Sequence, residues 1–185
     1  LVSPKVIVSG YLQCFKYFEH YRDELSEIFQ LEKNDEVQIC DQIATLKGNA
    51  SRAVAVHVRR EDSLVPGNEW AGLLTGSYYS SAMKLMNEDS KFIVFSDSPE
   101  WCKTQKVFKD SIIMEEPDPV KTVRLMNYCD DFIAAGSTLS WWGIWLGKAK
   151  NKKIIAPTPF FREVPDELKA DMVPNNWARL QSEFA

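Results

Sequence analysis

The chain has 185 residues, 45% of them hydrophobic and 26% charged, with a formal net charge of −4. These are the values of one globular domain long enough to bury a core, and the acidic balance counts against a nucleic-acid binder. No apolar run approaches the ~18 residues of a membrane span and no secretory signal pattern is present. Cys14, Cys40, Cys102 and Cys129 are too scattered for a zinc site or a disulfide framework and read as reduced thiols.

Taken in order, residues 5–10 (KVIVSG) form a short β-rich run ending in glycine. Residues 12–30 carry Phe15, Phe18, Leu25, Ile28 and Phe29 at about helical spacing and predict one helix, and 35–46 predicts a second. Strands are expected at 53–58, 91–96, 111–115, 131–136 and 152–157, the last of the chain. Helices are expected between them at 78–88, 98–108, 119–130 and 140–149. Ser98 before Pro99 fits a helix cap followed by proline at the first helical position.

The strands after residue 50 are short and apolar almost throughout, which means cover on both faces. Strands alternating with helices give an α/β fold: a doubly wound, open parallel sheet of Rossmann-like form. Residues 51–185 are expected to be that domain, and residues 1–50 a helical lead-in packed on it. Ligands of such sheets sit at the carboxyl ends of the strands, near a switch in strand order.

Four stretches lie where such a ligand would be. VAVHVRRED (54–62) ends a strand in Arg59 and Arg60. Alternation puts His57 and Arg59 on one face and Arg60 with Val58 on the other, and a bend into the loop is expected to let both guanidiniums converge. Planar bidentate donors suit phosphate oxygens; the competing reading is ion pairs with Glu61 and Asp62, and a core role for His57. In AAGSTLSWWGIWLG (134–147), Gly136 allows close backbone approach, and Ser137, Thr138 and Ser140 open a helix that offers an anion site or plain N-capping. Trp141 and Trp142 cannot both face inward, whereas Trp142 and Trp145 fit one face, as core packing. Ser96 and Asp97 end another strand; the carboxylate either holds a ribose or base, or caps the helix at Pro99. The polar loop 62–70 offers Asp62 and Glu69 as candidate general bases, against the ordinary role of solvated loop acids.

HVRRED resembles the H-x-R-R-x-D motif of α-1,2- and α-1,6-fucosyltransferases, with Glu61 where the motif usually has glycine. GSTLSWWGIWLG is similar to the Ser-Thr-Phe-Ser-Trp-Trp-Gly segment of bacterial α-1,2-fucosyltransferases. FIVFSDSPEWCK, VPNNW (173–177) and SGYLQCFKYF (9–18) resemble further segments of that family in the same order. The resemblance implies a glycosyltransferase-B architecture and inverting transfer of L-fucose from GDP-fucose to a sugar hydroxyl, with no cofactor and no obligatory metal. It implies that Arg59 or Arg60 grips the donor diphosphate, that Ser137, Thr138 and Ser140 belong to the donor site, and that Asp62, or else Glu69, takes the acceptor proton. The glycine-rich segment that opens family members has no counterpart here, so the chain is expected to be the GDP-fucose-binding half of a larger enzyme, or a nucleotide-sugar-binding module without activity of its own. Partners are then GDP-fucose, a carbohydrate acceptor and the other half, not nucleic acid. The expected location is cytoplasmic, at most peripheral to a membrane.

Overall fold

The computed structural model describes residues 14–164 and 171–185. The strand expected at 5–10 lies outside the described residues. The sheet has six strands, β1 (Arg52–Val58), β2 (Ser90–Ser96), β3 (Ile112–Met114), β4 (Asp131–Ile133), β5 (Ile154–Thr158) and β6 (Ala178–Gln181). Their order is β3-β2-β1-β4-β5-β6, and each named pairing is parallel. The chain moves outward in one direction from β1 to β3, then returns to β4 on the other side of β1. That reversal is the switch point at which doubly wound sheets open a crevice.

Helices cover both faces, as apolar strands require. They are α1 (Arg22–Ile28), α2 (Lys33–Lys47), α3 (Glu61–Leu64), α4 (Gly76–Lys84), α5 (Pro99–Thr104), α6 (Pro119–Asn127) and α7 (Thr138–Trp145). Alternation along β1 divides the core in two. Ala53 and Ala55 join a layer with Ile39 and Ile43 of α2, Leu125 of α6 and Ile144 of α7. Val54, Val56 and Val58 join a second layer with Tyr78 and Tyr79 of α4 and Cys102 of α5. The lead-in thus packs into the first layer through Phe15, Ile39 and Ile43.

Four expectations are corrected. The single helix at 12–30 is instead two 3-10 turns, Phe15–Tyr17 and Glu19–Tyr21, followed by the seven residues of α1. Phe15 and Phe18 are three residues apart, which matches the 3.0-residue turn, and packing of Phe15 in the core and Phe18 on Trp142 selects it. The helix expected at 98–108 stops at Thr104, and a 3-10 turn covers Lys106–Phe108. Ser98 precedes Pro99 as expected, but its hydroxyl makes no cap bond and donates to Glu61 at 3.4 Å. Finally, β5 is not the last strand: β6 follows it, an edge strand of largely exposed residues with no apolar run to announce it.

Trp141 and Trp145, not Trp142 and Trp145, share the buried face of α7, with rings stacked at 5.7 Å. They are four residues apart, one helical turn. Trp142 is half-buried against Phe18 and Phe29. All four thiols are free, Cys102 and Cys129 being buried.

At the amino ends of the strands, buried Asp131 accepts from Arg52 Nη2 at 2.7 Å and from the Lys153 backbone N–H at 2.6 Å, joining β1, β4 and the start of β5. Asp131→Ala leaves that N–H unpaired and takes the ion-pair partner from Arg52, which keeps only its bonds to the Asp130 and Asn151 carbonyls. It is expected to lower the unfolding free energy by about 3 kcal/mol, read from urea melts at pH 7. A loss under about 1 kcal/mol would show that water replaces the carboxylate at no cost.

Candidate functional site

A cleft of about 620 Å³ opens at the carboxyl ends of β1 and β4. His57 and Arg59 from the end of β1, Ser96 and Asp97 from β2, and Gly136, Ser137 and Thr138 from β4 line it together. The cleft thus lies at the strand ends near the switch point, the place at which the rule for such sheets puts a ligand.

Arg59 faces the cleft, pairing with Asp62 and, through Nη1, with Asp97 Oδ2 at 3.1 Å. Asp97 also accepts from the backbone N–H groups of Arg60 at 2.9 Å and Glu61 at 3.0 Å. It neither caps the helix at Pro99 nor hangs free for a ribose. It is a brace that ties the loop after β1 to the end of β2. Both its partners and its 16% side-chain exposure make it a fixed group, whereas Asp62 is 66% exposed and held by Arg59. The ion-pair reading of the arginine motif is thus realised for Arg59 with Asp62, beside its place in the cleft.

Arg60 does not join Arg59. Its guanidinium lies over the Trp101 ring, 3.7 Å from the centroid, on the α5 side of the sheet. The expected convergence is corrected for a physical reason: Asp97 holds the backbone at Arg60 and Glu61, so the two-residue alternation of β1 continues through Arg60. Glu69 also falls outside the cleft lining. Its Oε2 accepts from the Gly67 backbone N–H at 2.8 Å, closing its own turn. Ser140 is fully buried and its Oγ accepts from the Ala135 N–H at 3.2 Å, so it shapes the turn behind the cleft without reaching it. Ser96 Oγ accepts from Ser98 N–H at 3.0 Å.

The β4–α7 turn is packed tightly against Phe160 and Phe161 after β5. A Cβ on Gly136 would lie 2.3 Å from the Phe160 carbonyl oxygen, so no side chain fits. Ser137 occupies the N-cap of α7 in an extended conformation without a side-chain cap bond. The first turn of any α-helix leaves its N–H groups without intrahelical partners and carries partial positive charge. Here that turn meets the cleft beside Arg59.

His57 is buried, and its Nδ1 has no hydrogen-bond partner among the described residues. Burial, and secondarily the Arg59 charge, pushes its pKa down to about 3. The ring is therefore neutral across the working pH range and keeps a hydrogen-bonding nitrogen unspent at the cleft wall.

Trp70, Glu116, Thr122 and Phe161 also line the cleft, and none was singled out from sequence. Glu116 follows the end of β3, where the strand-end rule applied to β1, β2 and β4 would have found it. It pairs with Lys121 at 2.7 Å, which holds its carboxyl below the usual range. Trp70 stands next to Glu69 in a polar loop, an aromatic out of place there, and its ring meets Phe161 at 5.1 Å. The backbone of that loop is tied to the segment after β5 by Glu163 N–H to Trp70 C=O at 3.0 Å.

Among the described residues, no group of three His, Cys, Asp or Glu side chains is placed to hold a metal ion, and no helix is long and apolar enough to cross a membrane. A family model described as Glycosyl transferase family 11 matches residues 1–181. The chain belongs to this family. The motif resemblance and the Rossmann-like sheet agree with that assignment. Among its family 11 relatives, the alpha-1,2-colitosyltransferase of Escherichia coli is 33% identical over 93% of this chain and 61% of the relative. The O-antigen biosynthesis glycosyltransferase WbnK of Escherichia coli is 24% identical over 92% of this chain and 59% of the relative. A galactoside alpha-(1,2)-fucosyltransferase 1 of Saimiri boliviensis boliviensis is 27% identical over 79% of the chain and 44% of the relative. The chain thus spans less than two thirds of the length of these relatives.

His57 carries a pH signature. Between pH 6.5 and about 3 the unfolded chain binds a proton at this ring that the folded chain excludes. Stability from this group is complete above pH 6.5 and declines as pH falls, by up to about 1.4 kcal/mol per unit. Urea melts at pH 7, 6 and 5 on wild type and His57→Gln check this: the variant is expected to show the shallower decline. Equal slopes would place the lost protons elsewhere.

Proposed function

We propose that this chain is the nucleotide-sugar-binding half of an inverting glycosyltransferase that moves L-fucose from GDP-fucose to a sugar hydroxyl in α-1,2 linkage, without an obligatory metal. The observation that carries the reading is the meeting of Arg59 and the first turn of α7 in one cleft at the β1–β4 switch point. The two donor types there suit a diphosphate: a guanidinium for bidentate contact, and the N–H groups of a helix start.

In this reading the acceptor hydroxyl attacks the anomeric carbon as the bond from that carbon to the diphosphate oxygen breaks. The electron pair leaves with the diphosphate, and Arg59 and the α7 N–H groups stabilise the charge that develops there. The acceptor proton goes to a carboxylate. Asp62 fits this role and Glu69 does not, because Asp62 lines the cleft while Glu69 is spent on its own turn. Donor and Asp62 compete for Arg59. An exposed ion pair is worth only about 0–1 kcal/mol, so a diphosphate displaces Asp62 and leaves its oxygens open to a proton. Asp97 keeps its backbone donors and holds Arg59 in place meanwhile. Arg60 acts through Trp101 as a positioning residue, and neutral His57 forms part of the cleft wall. The reading places the reaction where nucleotide sugars are made, in the cytoplasm.

A second reading is a nucleotide-sugar-binding module inactive by itself. The donor sugar is also open to variation, since a colitosyltransferase is 33% identical. Calorimetric titration with GDP, UDP and ADP in metal-free buffer tests the site. Selective GDP binding that Arg59→Ala weakens strongly and Arg60→Ala weakens less is expected; equal effects would return Arg60 to the donor site. Turnover of GDP-fucose with a galactoside acceptor tests the chemistry, with a colitosyl donor as the second arm. Arg59→Ala is expected to cost about 10²–10³ in rate. Asp62→Asn should abolish the basic-group dependence of kcat on pH, and Glu69→Gln should leave it unchanged. GDP binding without turnover supports the module reading; no selective GDP binding by the folded chain sinks both.

A further inference from the structure

The helix that opens on the donor cleft closes on a second cavity. Gly147, Lys148, Lys150 and Lys152 follow the end of α7, and with Arg22 of α1 they line a space of about 460 Å³ near the amino end of β5. The segment 148–153 reads KAKNKK, four lysines in six residues of a chain whose net charge is −4.

Two of the cations are fixed. Lys152 Nζ donates to the carbonyls of Ile144 and Gly147, both at 3.0 Å. Arg22 Nη2 donates to the carbonyl of Trp145 at 2.9 Å. All three bonds go to the carboxyl end of α7 or the residues just after it, where partial negative charge of about half an electron accumulates. That is less than the charge of one of the two cations. Lys148 and Lys150 add two more, exposed at the rim, and neither forms an ion pair among the described residues. Glu19 is the one carboxylate lining the space among the described residues, and its recorded contact is His20 at 3.9 Å. Burial first, then the Arg22 charge, pushes the Lys152 pKa down to about 8. Among the described residues the cavity therefore sets four cations against the single carboxylate of Glu19, and their bonds there leave donors to spare: one of three on Lys152 and four of five on Arg22.

We propose that this cavity, enclosed by Arg22, Lys148, Lys150 and Lys152, is a binding site for a phosphate-class oxyanion, separate from the donor cleft. A tetrahedral oxyanion takes the spare donors of the two fixed cations, and the two rim lysines close over it with charge-assisted bonds. The floor is tight: a Cβ on Gly147 would lie 2.9 Å from Phe132 Cζ and 3.2 Å from Lys152 Nζ. The bonds of Lys152 to the Ile144 and Gly147 carbonyls hold it at a set height.

The experiment uses inorganic phosphate and pyrophosphate as probes, in low salt, on the Arg59→Ala background, which removes the donor cleft as a competing anion site. Binding is followed by calorimetry and by the Lys152 Cε NMR resonance. The expected result is saturable binding that moves this resonance, weakens about tenfold in Lys148→Ala/Lys150→Ala, and weakens from pH 7 to pH 9 as Lys152 loses its proton. The two rim side chains are exposed, so the double variant keeps its fold, which its urea melt confirms. Phosphatidylglycerol and phosphatidylcholine vesicles form the second arm. Binding to the anionic vesicles that the double variant loses assigns the oxyanion to a lipid headgroup; phosphate or pyrophosphate binding without vesicle binding assigns it to a soluble phosphate. The proposal is overturned if neither probe nor vesicle binds the Arg59→Ala chain, or if binding survives Lys148→Ala/Lys150→Ala undiminished. GDP titration of the donor cleft stands or falls independently of every one of these outcomes.

Discussion

Asp97 accepts from two consecutive backbone N–H groups and meets a guanidinium, and the rest of the cleft is arranged around that carboxylate. The chain must leave β1 by a sharp turn, and the N–H groups of Arg60 and Glu61 need acceptors there. The sheet provides one by register: Val58 pairs with Ser96, so Asp97 stands one step beyond, level with Arg59. A carboxylate with two N–H donors and an ion pair is strongly held, because charge-assisted bonds are about twice the strength of neutral ones. Fixing the backbone fixes the alternation, and the alternation sends Arg59 to the cleft and Arg60 to Trp101. Sheet register, loop geometry and the division of labour between two adjacent arginines are one constraint seen at three levels.

α7 extends this logic through the thickness of the sheet layer. Its amino end offers partial positive charge to the cleft, and its carboxyl end is met by Arg22 and Lys152. Cations at that end stabilise a helix. Buried Trp141 and Trp145 then lock its rotation, and Trp141 Nε1 donates to the Met172 carbonyl at 2.7 Å, joining it to the segment before β6. The two cavities therefore lie at opposite ends of the eight-residue α7 and share no lining residue.

Much of the sheet was legible because its strands are apolar on both faces, a pattern with few alternatives in an α/β chain. β6 was not, because an edge strand with largely exposed residues leaves no such run. The lead-in helix was overcalled for the opposite reason. Its aromatic residues satisfy a helical spacing locally, yet Tyr17, Tyr21, Ile28 and Phe29 stay largely exposed, and the packing of Phe15 and Phe18 decides the backbone. At the cleft, strand-end position predicted His57, Arg59, Ser96, Asp97, Ser137 and Thr138 as neighbours, since topology alone brings strand ends together. Side-chain direction past the end of a strand was not legible. Arg60 and Glu69 depend on hydrogen bonds to Asp97 and Gly67 that no local pattern encodes.

The charge balance of the cleft constrains how an anion can enter it. Asp62, Asp97 and Glu116 line it with a single arginine. Glu116 is matched by Lys121, and Asp97 by two N–H groups and Arg59, so Asp62 is the surplus negative charge. It sits three residues after Arg59 at the start of α3, close enough to hold the guanidinium and exposed enough to let go. On the proposed reading, that pairing couples two events. The empty cleft keeps Arg59 neutralised and Asp62 occupied. A diphosphate that takes Arg59 releases Asp62 at the same moment, so the group that accepts the proton is freed only when the leaving group is already in place. A chain with lysine at position 59 would keep the charge but lose the fork that binds two anions in turn.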